Sequence, residues 1–286
     1  GGGGITATSV LRIANNSGGT ATVTVTGMGT TFDTSRASIG YNGTGTLNIL
    51  NDASFHSGEQ VNVGEESSGN GTLLVDNATF KITGGASADL EIGFKTNSST
   101  GTATFENNAV INIADDIIVG RNGDGTLNVR SKADVTTADF LVAFDPGSKG
   151  IATITGNNTT LTASGGGNDV QIGRSAGDST GTVNVEDSAT MTLDTQSDIY
   201  SGGVLDLGSN GSGTVNGTGT ITIHGAGGTR IKGNGSISNT IELEGGALGN
   251  DSADETLTLS GVIKDGGSTY DLIKKGTGTL VLGGTS

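Results

Sequence analysis

The sequence predicts an all-β chain, a right-handed parallel β-helix with three short strands in each coil of about 26 residues. Three observations predict it. The composition favours strands and turns over helix. One phrase, Gly-Thr followed by alternating apolar and polar residues, returns at a near-constant interval. Two further strand phrases recur between its copies.

Composition comes first. The 286 residues include 53 Gly, 1 Pro, no Cys, no Trp and only 3% aromatic residues. Thr and Val suit a pleated surface, while Gly and Asn suit turns. Period-two alternation such as TLNIL, TFKI and TVNV recurs throughout, and no window sustains the i, i+3, i+4, i+7 spacing of an amphipathic helix. The formal charge of −15 offers no basic patch for a polyanion, so nucleic acid is excluded as a partner. No apolar run of about 18 residues exists to span a membrane as a helix. Without Cys there are no disulfides and no thiolate metal sites. No cofactor motif stands out.

The first strand of each coil is the Gly-Thr phrase: GTLNI at 45–49, GTLLV at 71–75, GTATF at 101–105, GTLNV at 125–129 and GTVNV at 181–185. Gly19, Gly150 and a looser Gly213 extend the series, at intervals of 24 to 32 residues. The second strand follows a small residue, as in ASFH at 53–56, ATFKI at 78–82, AVINI at 109–113 and ATMTL at 189–193. The third ends in Gly: VNVG at 61–64, LEIG at 90–93, IIVG at 117–120, VQIG at 170–173 and LDLG at 205–208. Stacking each strand on its own copy one coil later rewards identical inward residues at identical places. Two such columns read Leu47, Leu73, Ala103, Leu127, Ala152, Val183 and Phe55, Phe80, Ile111, Val135, Leu161, Met191. Ordering one coil costs more than its few inward side chains return, so coils must stack to fold. Rungs of about 4.8 Å would make a rod on the order of 40–50 Å long.

The repeated G-x-GTLxV…A-x-V…VxIG pattern resembles the coils of autotransporter (type V secretion) passenger domains. Residues 272–284, LIKKGTGTLVLGG, resemble the autotransporter-associated strand repeat, with Lys274, Gly276, Gly278, Thr279, Leu280 and Leu282 in the hallmark places. The resemblance implies one β-helical passenger fragment over 1–286, with regular coils over 19–245 and the strand-repeat segment over 246–286. It further implies a structural and adhesive stalk on the outside of a bacterial outer membrane, without catalysis. Its partners would be a protein or glycan on a host or neighbouring cell, or a second copy of itself, with an outer-membrane translocator barrel beyond this fragment. Self-association leading to aggregation and a polysaccharide-degrading β-helix are the alternatives.

Strings that imitate catalytic motifs fall in the turns between coils. GDSTG at 177–181 has no neighbouring His for a triad, since only His56 and His224 exist. NGDGTLNV at 122–129 has Gly120 and Ser131 where a calcium loop needs its terminal carboxylates. The Gly-rich turns enter no helix, so they lack the amides and dipole of a phosphate cradle. Register gives two better candidates. Counting back four from the end of each third strand yields Arg36, Gln60, Asp89, Asp116, Phe140, Asp169 and Val204. Asp89 and Asp116 then lie on adjacent coils with Glu91 on the same outer face, a set able to work as acid and base or to hold a cation. The outward place of that strand runs Ser38, Asn62, Glu91, Ile118, Val142, Gln171, Asp206. Ile118 and Val142, with Phe144 in the place of the usual Gly, would form an exposed apolar contact surface, or else lie covered by the irregular turn FDPGSKG or by Phe140.

Overall fold

The computed structural model describes residues 3–85, 87–165, 168–174, 178–208, 212–250, 252–267 and 269–284. Among them there is no helix: the chain forms a β-solenoid of about 10 turns, spaced by ~25 residues, in which strands pair in parallel with their copies one turn away.

Three ladders run along the stack. The first carries Thr44–Leu50, Asn70–Asp76, Thr100–Glu106, Asp124–Arg130, Lys149–Thr155 and Thr180–Glu186. The second carries Ser54–Ser57, Thr79–Ile82, Val110–Ile113, Asp134–Thr137, Thr160–Ala163 and Thr190–Leu193. The third carries Val61–Val63, Leu90–Ile92, Asp116–Val119, Asp139–Val142, Asn168–Ile172 and Gln196–Ile199. Both predicted apolar columns pair residue for residue and are fully buried. Phe32, Phe55 and Phe80 stack ring on ring, with centroids 5.6 and 5.4 Å apart. Period-two alternation puts these side chains inside and Thr and Asn outside. There Asn184 donates to Thr153 at 3.2 Å, across a rung.

The Gly of the Gly-Thr phrase has a steric cause. It sits buried at the corner where the third strand hands over to the first. A methyl group on Gly125 would stand 2.2 Å from the amide nitrogen of Gly120 and 2.5 Å from the carbonyl oxygen of Ile92. Gly45 and Gly71 are confined in the same way, each by the backbone of its own corner.

Towards the C-terminus the coils change length and two readings of the repeat are corrected. LDLG at 205–208 is not a third strand: Gly203–Asp206 lies in the first ladder, with Leu205 beside Val183. The third-strand place of that coil belongs to Gln196–Ile199, which ends in Tyr200 where earlier coils have Gly. Thr214–Asn216, after Gly213, joins the second ladder with Val215 beside Met191. Beyond it, Thr220–Lys232 and Thr240–Asn250 each run through the third ladder and on into the first. Lys274–Gly276 pairs with Leu248–Asn250, and Thr279–Leu282 with Thr256–Leu259, so the stack continues through the strand-repeat segment.

Candidate functional site

The outer face of the third ladder carries the acidic residues. Leu90 is the partner of Ile117, which sets Asp89 beside Asp116, and Asp116 is in turn the partner of Asp139. Phe140 therefore does not belong to this column: it pairs with Ile117 and Val170 and is fully buried inside the stack. Val204 lies in the first ladder, and the side chain of Asp169 is outside the described residues. For Phe140 the discrepancy comes from the corner at Ala143. Ala143, not Phe144, replaces the usual Gly. It has φ 57°, and its N–H donates to the Val119 carbonyl at 2.9 Å, as the Gly120 N–H does to Ile92 at 2.7 Å. A slip of one residue moves every side chain of a strand to the opposite face.

Asp89, Asp115 and Asp116 each offer a carboxylate oxygen, and these three atoms lie within 4.8 Å of one another. One Asp89 oxygen accepts the Asp116 N–H at 3.2 Å. Partial burial, then the charges of Asp89, Asp139 and Asp115, push the Asp116 carboxyl up to about 7. Burial also raises Asp89, against the hydrogen bond from the Asp116 amide. Three half-buried carboxylates in one place suit a hard cation, or a single shared proton. Glu91 has a different role. It is fully buried and its carboxylate is held by Arg121, whose Nε also lies 3.8 Å from Asp145. Burial outweighs the pull of Arg121 and pushes Glu91 up to about 7. A carboxylate enclosed in this way cannot reach a polysaccharide, which leaves only Asp89 and Asp116 of the three candidates open to one.

A raised carboxyl sets the sign of a pH effect. The folded chain binds the Asp116 proton more tightly than the unfolded chain does. Its contribution to stability is therefore complete below the ordinary Asp range and is lost as pH rises towards 7. Asp116→Asn is expected to raise stability at pH 8 by about 1–2 kcal/mol, after allowance for solvent screening, and to change little at pH 4. Urea denaturation at the two pH values measures the difference.

The apolar candidate is corrected too. Val142 points inward and is fully buried, and the outward neighbour of Ile118 is Leu141. Ile118 and Leu141 are only 3% and 5% exposed. The residues just past the corner of each coil are Tyr41, Glu65, Phe94, Arg121, Phe144 and Arg174, of which Arg174 is exposed and the others buried or half-buried. Glu65 takes hydrogen bonds from Ser38 at 2.5 Å and Arg36 at 3.2 Å, and Arg121 closes on Glu91. The row is also tied along its length, with Arg121 5.5 Å from the Phe94 ring centroid and Arg174 4.4 Å from that of Phe144. Ile118 and Val142 are enclosed and Phe144 is half-buried against Arg174, so the three do not form an exposed surface. The signal for this row was the run of large residues directly after the recurring Gly.

In the triad-like string Ser179 is buried, and Gly177 lies outside the described residues. His56 instead faces Asp33 at 3.3 Å and Thr83 at 2.5 Å. In NGDGTLNV, Asp124 opens a first-ladder strand as Thr100 does one coil earlier. No protein-family model, no curated protein and no solved structure matches this chain.

Proposed function

We propose that the chain is an extracellular stalk of an autotransporter passenger, structural and adhesive, without catalysis. The observation that carries this reading is the unbroken stack of about 10 turns around one apolar core, with Thr and Asn facing outward. Each coil adds length at the same small cost in sequence, which suits a spacer that holds a contact away from a cell. The resemblance of 272–284 to the autotransporter-associated strand repeat supports export to the bacterial surface. The ligand would be a protein or glycan of a host or neighbouring cell. The enclosure of Glu91 by Arg121 weighs against the polysaccharide-degrading alternative, which needs its carboxylates open to solvent.

Beads coated with the purified chain are expected to attach to bacterial or epithelial cells more often than beads coated with an unrelated acidic protein. Attachment should be undiminished by Asp89→Asn with Asp116→Asn. Equal attachment of the two coatings would remove adhesion from the reading. Loss of attachment in the double variant would move the function to the acidic ladder.

A further inference from the structure

The second His of the chain sits in a setting that the stalk reading does not use. On the third-ladder face of the C-terminal coils, His224 Nε2 lies 2.9 Å from Asp198 Oδ1 of the preceding coil. Its Nδ1 lies 2.7 Å from Glu244 Oε2 of the following coil. A neutral imidazole carries one N–H, so satisfying both carboxylates requires the doubly protonated ring. The imidazolium then joins three consecutive coils. Asp198 is only 2% exposed, and its other donors are distant: Gln196 at 3.4 Å and the Tyr200 hydroxyl at 3.5 Å. Tyr200 stacks on the imidazole at 4.7 Å and shields it from one side. Among the described residues, Asp194 and the ion pair of Glu242 with Lys264 at 2.6 Å line the same groove, and Tyr270 and Asp271 line a second groove against Glu244. Arg174 acts on Tyr200 from an earlier coil.

We propose that the Asp198–His224–Glu244 bridge is a pH-sensitive latch: it holds the C-terminal coils in register while His224 is protonated and loosens them once the proton is lost. Without that proton one carboxylate loses its donor, and Asp198 and Glu244 are left as like charges on either side of a neutral ring. The hydrogen bond that His224 Nε2 donates to Asp198, then the charges of Asp198 and Glu244, raise His224 above the ordinary histidine value, against the lowering effect of burial. The latch is therefore complete below the unfolded-state value of about 6.5 and is lost as pH rises through the higher folded value. Tyr200 is itself raised, mainly by burial, so it stays neutral in this window.

The experiment is amide hydrogen exchange on the whole chain from pH 6 to pH 9, corrected for the base-catalysed intrinsic rate. Protection of the buried Ile221 and Leu243 amides is expected to fall about tenfold or more across the range, the equivalent of ~1.4 kcal/mol. In His224→Gln it should be low at both ends and independent of pH. Should that variant fold poorly, the ring nitrogens of the unmodified chain are followed by NMR over the same pH range, with the ring expected to lose its proton above the ordinary histidine value. A fall in protection that persists in His224→Gln overturns the latch, as does a ring that titrates at or below the ordinary histidine value.

Discussion

Phe80→Asp is expected to unfold the coils around residue 80. Phe80 is fully buried, its ring is stacked on Phe55 with centroids 5.4 Å apart, and it faces Phe105 at 6.4 Å. Removing the ring alone should cost about 3–5 kcal/mol, from lost transfer energy and the cavity left behind. The carboxylate adds a buried charge for which the core offers no partner. Because each coil is stable only against its neighbours, the damage should spread along the stack. The measurement is urea denaturation followed by far-ultraviolet circular dichroism, with Asn128→Asp as the comparison. Asn128 faces outward and its bond to Thr104 is long, at 3.5 Å, so that change should stay within about 0.5 kcal/mol. Equal behaviour of the two variants would contradict the assignment of inside and outside.

The second large effect is expected at Gly125, where so small a change as Gly125→Ala should cost about 2–3 kcal/mol. The new methyl meets backbone rather than the end of a flexible side chain, 2.2 Å from Gly120 N and 2.5 Å from Ile92 O. Relief requires the corner to open and the ladders on either side to shift. Gly85→Ala is the matching control, because nothing lies within 4 Å of a methyl placed there. It should be neutral, or slightly stabilising through the unfolded chain. A Gly125 variant as stable as the Gly85 variant would mean that the recurring Gly-Thr phrase answers some need other than space.

The architecture was legible because a solenoid writes its packing into the sequence at a fixed interval. The columns Leu47 to Val183 and Phe55 to Met191 repeat at that interval, and successive members stand side by side in the fold. Asp89 and Asp116 were placed correctly for the same reason. Legibility failed where a corner lost its Gly. Ala143 adopts the left-handed conformation that marks the corner, yet an Ala carries no such mark in a sequence, which leaves Phe144 at the apparent place of the Gly. That slip exchanged Val142 for Leu141 and Phe140 for Asp139. It failed again near residue 200, where Tyr200 stands in place of Gly and the coil shortens, so LDLG at 205–208 and Gly213 were read into the wrong ladders. The Arg121–Glu91 contact and the Asp198–His224–Glu244 bridge both join residues from different coils through side chains that follow no period.

Parallel stacking of each coil on the next is the claim on which every site above depends, and a disulfide across one rung tests it most directly. The chain has no cysteine of its own. Thr104 and Asn128 are paired across adjacent coils and both point outward, so Thr104→Cys with Asn128→Cys brings two thiols within bridging range. The account predicts rapid oxidation to an intramolecular disulfide that raises stability by about 3 kcal/mol. The pair Thr104→Cys with Val129→Cys, one residue out of phase, should remain reduced because Val129 points into the core. Failure of the first pair to close, or equal closure of both, would contradict the stacked register.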